Sequence, residues 1–285
     1  MAIKKLPSTG DAPRSTGVPA SLVPGGDADS AGFPWQGRTF THHDTAFAGD
    51  SGDTPSVWTE ALAAVRAARE NRDALAAAIA AAIRTLSTVR VLVPLLAEAG
   101  EIGVTPDGRQ VDKSQELSIV TVRAPDGRRA LPAFTSVATM RDWHPDARPI
   151  PVPGPQAALA AAQDGTDLII IDPGNPDREF GVRRTQREAM ALGQTVVPGW
   201  ADREVQRAFR ESAAADPRVI AIDLRPGDPE SRLLAPETDV IVHLAPGLER
   251  EEVAAVLDAL QRRWAASDVI AERVDSLRVA PVAAG

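Results

Sequence analysis

With 285 residues, 44% of them apolar and 25% charged, the chain has enough apolar material for the cores of two ordinary domains. Its 31 basic residues stand against 39 acidic ones, a net charge of −8, and no segment joins Lys and Arg to aromatics as a single-strand groove requires, which argues against a nucleic-acid partner. It has no cysteine, so disulfides, zinc knuckles, thiol nucleophiles and persulfide chemistry are excluded.

No apolar run approaches the ~18 residues of a membrane helix, and the two lysines of the opening MAIKKLPSTGDAPRSTG are followed by no apolar stretch. Neither membrane association nor a secretory signal is expected, and the expected location is cytoplasmic. Residues 1–53 carry Pro, Gly, Ser, Thr and Asp without periodic apolar positions, so they are expected to form a disordered or partly ordered tail. Phe33, Trp35, Phe40 and Phe47 in that tail suit a short docking segment or an arm.

The spacing predicts a helix in DTPSVWTEALAAVRAARE, with Thr54 as N-cap, Pro55 in the first turn, and Trp58, Leu62 and Val65 on one face. After RENRD, the positions of Leu75, Ile79, Ile83 and Leu86 predict a second helical stripe. VRVLVPLL and ELSIVTVRA then read as strands, and Asp126-Gly127 as a tight hairpin into RRALPAFT. A short helix follows, ending near Trp143, then an edge-like RPIPVPG, a helix in PQAALAAAQD, and an apolar strand stopped by a Pro-Gly turn in TDLIIIDPGNP. This first domain is placed at 54–194. Residues 195–285 read as a second domain in the order QTVVP, a helix over 201–215, RVIAIDL, TDVIVHLA, a helix over 247–266, and SLRVAPV. That is a ferredoxin-like βαββαβ unit, so the fold class expected is α+β. Its second helix carries Val253, Val256, Leu257, Leu260 and Trp264 in a stripe, with acids at its N-terminal end and arginines near its C-terminal end, as the helix dipole favours.

The segments VRVLVPLL, ELSIVTVRAPDGRRALPAFTSVATMRDW and LIIIDPG, in this order, resemble the N-terminal domain of the SseB family, and the βαββαβ unit resembles, more loosely, the separate SseB C-terminal domain. In that family the strand before the Pro-Gly turn usually ends in Asn; here it ends in Asp172. The resemblance implies a mixed sheet with helices, and no established catalytic activity, cofactor or ligand.

The one chemically suggestive feature is the hinge LPAFTSVATMRDW, where Thr135 and Ser136 stand between strand and helix. A serine nucleophile needs a base within reach, an orienting group and an oxyanion pocket. The glycine-flanked elbow that exposes such a serine is missing, since Thr135 and Val137 flank Ser136, and the nearest histidine, His144, falls at the far end of the short helix. The hydroxyls therefore read as a helix cap worth ~1 kcal/mol, with Phe134 and Trp143 entering the core. An anion at the helix N-terminus would lack a glycine-rich approach. His42, His43 and Asp44 read as a solvated loop, and Asp172, Asp177 and Glu179 as turn residues about Pro173 and Gly174 rather than cation ligands. No catalytic residue, metal or cofactor is expected. Phe134, Thr135, Ser136, Trp143, Asp172, Pro173 and Gly174 make up the candidate interaction or ligand surface. The leading expectation is a non-catalytic interaction or regulatory protein whose partner is another protein or a second copy of the chain. The alternative is a hydrolase or a small-ligand or anion-binding protein using the Thr135-Ser136 hinge and the Asp172-Pro173-Gly174 loop. A third reading is an assembly component held to a partner by its tail.

Overall fold

A computed structural model describes residues 47–97, 102–104, 110–112 and 117–284. Of the tail expected over residues 1–53, residues 1–46, with Phe33, Trp35, Phe40, His42 and His43, lie outside the described residues. Helix α1 (Ser56–Ala68) buries Trp58, Leu62 and Val65, and α2 (Arg72–Leu86) buries Leu75, Ile79, Ile83 and Leu86, so both apolar stripes face the core. Asn71 caps α2 by accepting from the Ala74 N–H at 3.1 Å. Thr54 does not cap α1. Pro55 holds the cap position, its carbonyl accepting from Trp58 and Thr59, and the residue before a proline is pushed to extended backbone. The Thr54 hydroxyl is left free for another role.

The strands follow as β1 (Arg90–Ala97), β2 (Ile102–Val104), β3 (Gln110–Asp112), β4 (Leu117–Ile119), β5 (Val122–Arg123) and β6 (Arg129–Ala133). Next come α3 (Val137–Trp143), β7 (Arg148–Pro153), α4 (Gly154–Gln163), β8 (Leu168–Ile171), β9 (Phe180–Val182) and α5 (Arg184–Leu192). One antiparallel sheet has the order β4-β1-β7, and a four-stranded sheet has the order β5-β6-β8-β9 with β6 and β8 parallel. The predicted strand 116–124 is thus broken after Ile119, and its halves serve different sheets. The hairpin turn forms as predicted, with Gly127 at φ 86°, a value glycine adopts without strain. Strand β7 is an edge, where its prolines leave no ladder donor missing from a sheet interior. Among the described residues the two sheets are joined by a single bridge: Leu92 and Phe134 exchange both backbone hydrogen bonds at 2.8 Å.

The remaining elements are α6 (Arg203–Ala213), β10 (Val219–Pro226), β11 (Thr238–Leu244), α7 (Arg250–Ala265), α8 (Asp268–Arg273) and β12 (Leu277–Ala283). The predicted first strand, QTVVP, is not a strand. The sheet order is β10-β11-β12, with β12 parallel to β11, so both edges of the central strand are taken and residues 194–198 have no place beside it. The fold is α+β, with mixed sheets and helices. Apolar packing continues past residue 194: Trp200, Val205, Phe209 and Trp264 belong to the same buried cluster as Trp58, Val65 and Phe180. The Phe209 and Trp264 rings lie 5.0 Å apart, and the Trp264 indole N–H donates to Ser212 Oγ at 2.8 Å.

A buried ionic cluster ties the β5–β6 hairpin to the later elements. Arg128 donates to both carboxylate oxygens of Asp275 at 2.9 Å, and Arg183 reaches Asp228 at 2.6 Å and Asp275 at 3.2 Å. Burial alone would raise the pKa of Asp275, but the bonds and charges of Arg128 and Arg183 more than offset it and hold the carboxyl at about 2. Among the described residues, nearby Glu237 has no such partner at bonding distance; burial pushes its carboxyl up, although it accepts from the Asp275 N–H at 2.9 Å. Removing one partner from a buried pair leaves the other charge uncompensated. Asp275→Ala is therefore expected to cost about 3 to 5 kcal/mol in denaturant melts at neutral pH. Because the folded pKa of Asp275 is depressed, its contribution is present above the unfolded value of about 3.9 and is lost as pH falls toward about 2. Asp275→Asn should flatten the stability profile across that window, and an unchanged profile would show that the cluster contributes nothing.

Candidate functional site

The parallel pairing of β6 with β8 sets Ala133 beside Ile171, so the next residues of both strands emerge side by side. The ladder continues by one backbone bond, Asp172 N–H to Ala133 O at 2.8 Å. It is then carried on by a side chain: Asp172 Oδ1 accepts from the Thr135 N–H at 2.8 Å, and Oδ2 from the Thr135 hydroxyl at 2.5 Å. Thr139 donates a third bond to Oδ1 at 3.0 Å. Asp172 adopts φ 47°, a left-handed conformation that Asp tolerates better than most residues, and this turns the chain into the Pro173-Gly174 turn.

Ser136 is the N-cap of α3. Its backbone is extended, with φ −139°, and its Oγ accepts from the Thr139 N–H at 3.1 Å. The hydroxyls of Ser136 and Thr139 also touch at 2.9 Å. Because the Thr135 hydroxyl gives its single proton to Asp172, it must accept from Thr54 Oγ1, 3.0 Å away, and Thr54 in turn accepts from Arg178 at 2.8 Å. A directed series of donors thus runs from Arg178 through Thr54 and Thr135 to Asp172. Burial dominates the electrostatics of that carboxyl and raises its pKa against the opposing effect of the threonine bonds.

Arg90 secures the hinge from the other side. The guanidinium, at the start of β1, is buried and donates to the Thr135 carbonyl, to both oxygens of Asp50 at 2.7 Å, and to the Asp53 carbonyl at 2.7 Å. Its hydrogen bonds to Asp50 hold that carboxyl below the usual carboxylate range. The Gly52 carbonyl accepts from the Val137 N–H at 2.9 Å, satisfying another open donor of α3. Residues 50–53, assigned to the tail on composition, are therefore part of the folded hinge. The short acidic loop is ordered by a buried cation rather than by apolar contacts.

The seven predicted surface residues do come together, but they divide by exposure. Phe134, Thr135, Ser136 and Asp172 are buried, with Phe134 packed against Leu92, Met140 and the Trp143 ring. Trp143 and Pro173 are half-buried and Gly174 is exposed. These three line a cleft of about 510 Å³ with Thr139, Asp142 and Asn175. A smaller cleft of about 210 Å³ lies against the other side of Asp172, walled by Trp58, Leu62, Arg66 and Arg178. His144 stands at the C-terminal end of α3, and His243 pairs with Asp223 at 3.0 Å on another sheet. Sequence reading missed Arg90, Thr139 and Arg178. The first two leave a signal, since an arginine opening an apolar strand needs buried acceptors and Thr139 stands three residues after the capping serine.

The raised pKa of Asp172 has a defined consequence. Above its folded pKa the protein carries a desolvated carboxylate, and stability is gained as pH falls through that value. Asp172→Asn keeps the Oδ1 acceptor for the Thr135 N–H and the Thr139 hydroxyl, and its amide NH2 can donate to the Thr135 hydroxyl where Oδ2 accepted, so it should be as stable as the parent or more so at neutral pH. That difference should shrink as pH falls toward about 4. Asp172→Ala strands the Thr135 N–H and should cost about 1 to 3 kcal/mol. Thermal melts across pH check both, and an Asn variant that melts like the Ala variant would contradict the electrostatic reading.

Residues 59–179 match the family model for the SseB protein N-terminal domain, a span that includes Arg90, Thr135, Ser136, Thr139, Asp172 and Arg178. No curated protein and no solved structure matches the chain. Residues 59–179 are thus similar to an SseB protein N-terminal domain.

Proposed function

We propose that the protein is a non-catalytic, cytoplasmic interaction or regulatory member of the SseB family, and that residues 195–285 serve as its SseB C-terminal domain. The observation that supports this reading is the use made of the hinge. Both hydroxyls and the carboxyl that would be recruited for chemistry are buried and already bonded to one another and to backbone N–H groups. A nucleophilic serine instead needs an adjacent base and an accessible reaction position. What the hinge offers to a partner is the rim of the larger cleft, where Trp143, Pro173 and Gly174 reach solvent on a scaffold fixed from below by Asp172 and Arg90. Aromatic side chains held by a rigid support are effective anchors in protein interfaces. The partner is another protein or a second copy of the chain.

The test is a turnover screen of the purified protein against ester, phosphate and nucleotide panels, beside Ser136→Ala. No turnover that depends on Ser136 is expected. Reproducible activity abolished by this variant would overturn the non-catalytic reading in favour of a hydrolase.

A further inference from the structure

The free edge of β10 carries a second surface, remote in sequence from the hinge. Four consecutive residues of that strand, Ile222 to Arg225, line one groove of about 270 Å³. Neighbouring residues of a strand point to opposite faces. Ile222 and Leu224 are buried whereas Asp223 and Arg225 are exposed, so a groove touched by all four lies along the strand's edge, where the backbone itself is presented. Among the described residues, strand β10 ends its sheet, with β11 on one side only. The facing wall is formed by Gln206 and Arg210, one turn apart on α6, and by Arg72 at the start of α2. Arg72, Arg210 and Arg225 thus converge on one groove, and among the described residues none of them forms an ion pair. Arg72 is held in place by a bond to the Trp200 carbonyl and by lying 5.9 Å over the Trp200 ring. The one acid of the groove, Asp223, is engaged by His243 at 3.0 Å.

We propose that this groove binds an extended acidic peptide segment of a partner protein, which adds as a strand to the edge of β10 while its carboxylates pair with Arg72, Arg210 and Arg225. An open strand edge supplies main-chain hydrogen bonds to any extended chain, and the flanking side chains select among them. Arginine pairs with carboxylates in a bidentate fork. Arg225 lies on the strand and Arg72 and Arg210 on the wall facing it, so an extended acidic chain lying in the groove can pair with cations on both walls. The proposal deepens the interaction reading and rests on it, but its test reads binding whereas the test of that reading is turnover.

Fluorescence anisotropy of the full chain with a short labelled peptide alternating glutamate and valine provides the test. Saturable binding is expected that weakens with added salt, falls about tenfold or more in Arg210→Glu with Arg225→Glu, and is lost when alternate valines become proline, which lacks the N–H donor. Arg210→Gln with Arg225→Gln should show a smaller loss and serves if the double charge reversal does not fold. The proposal is overturned if the peptide does not bind, if the proline or a lysine-for-glutamate version binds equally, if both double variants bind like the parent, or if a single-stranded oligonucleotide binds where the peptide does not.

Discussion

Two parallel strands, β6 and β8, end side by side, and Asp172 accepts bonds from the polar groups exposed there. Backbone pairing stops at Ala133 and Ile171, yet the Thr135 N–H beyond it is buried and must find an acceptor. Asp172 provides one, reaching across from the next strand, and its second oxygen takes the Thr135 hydroxyl. The same carboxyl holds Thr139, which holds the capping Ser136, so the first turn of α3 is fixed to the sheet through hydrogen bonds as well as through Phe134 and Met140. Arg90 then binds the carbonyl of Thr135 and draws residues 50–53 over the helix start. The Trp143 and Pro173 rim inherits its position from these contacts.

The ionic cluster around Asp275 plays a comparable part at the other end of the four-stranded sheet. Arg128 follows directly after the hairpin glycine, and Arg183 follows directly after β9, so two turns of that sheet present cations to one carboxylate from the segment before β12. The electrostatics differ from those of Asp172. At Asp275 two guanidiniums overcome burial and the group stays charged, whereas the donors around Asp172 are mainly neutral and burial prevails.

Local order in the chain was largely legible. The stripes of α1, α2 and α7, the hairpin at Gly127, the proline-marked edge β7 and the Ser136 cap all depend on residues a few positions apart. Elements with little apolar signal were not: α5 buries only Gln186, Ala189 and Met190, and β9 has three residues, with Gly181 pressed against Leu233. QTVVP shows the converse, β-branched residues that find no place beside the central strand because β10 and β12 occupy both of its edges. The hinge was half legible for the same reason. Its cap is local, but Asp172 lies 37 positions from Thr135 and Arg90 lies 45 from Thr135 and 40 from Asp50, so these contacts exist only once the sheets have paired.

The central claim is that the hinge hydroxyls hold structure rather than perform chemistry, and denaturant melts of Ser136→Ala and Thr135→Val in the absence of any ligand test it most directly. Ser136→Ala removes the cap and should lower stability by about 1 kcal/mol. Thr135→Val preserves shape while leaving one Asp172 oxygen without its donor, and should cost about 1 to 3 kcal/mol. Active-site groups are often held at a cost in stability, so their removal tends to leave a protein unchanged or more stable. Two variants at least as stable as the parent would contradict the structural role of the hinge.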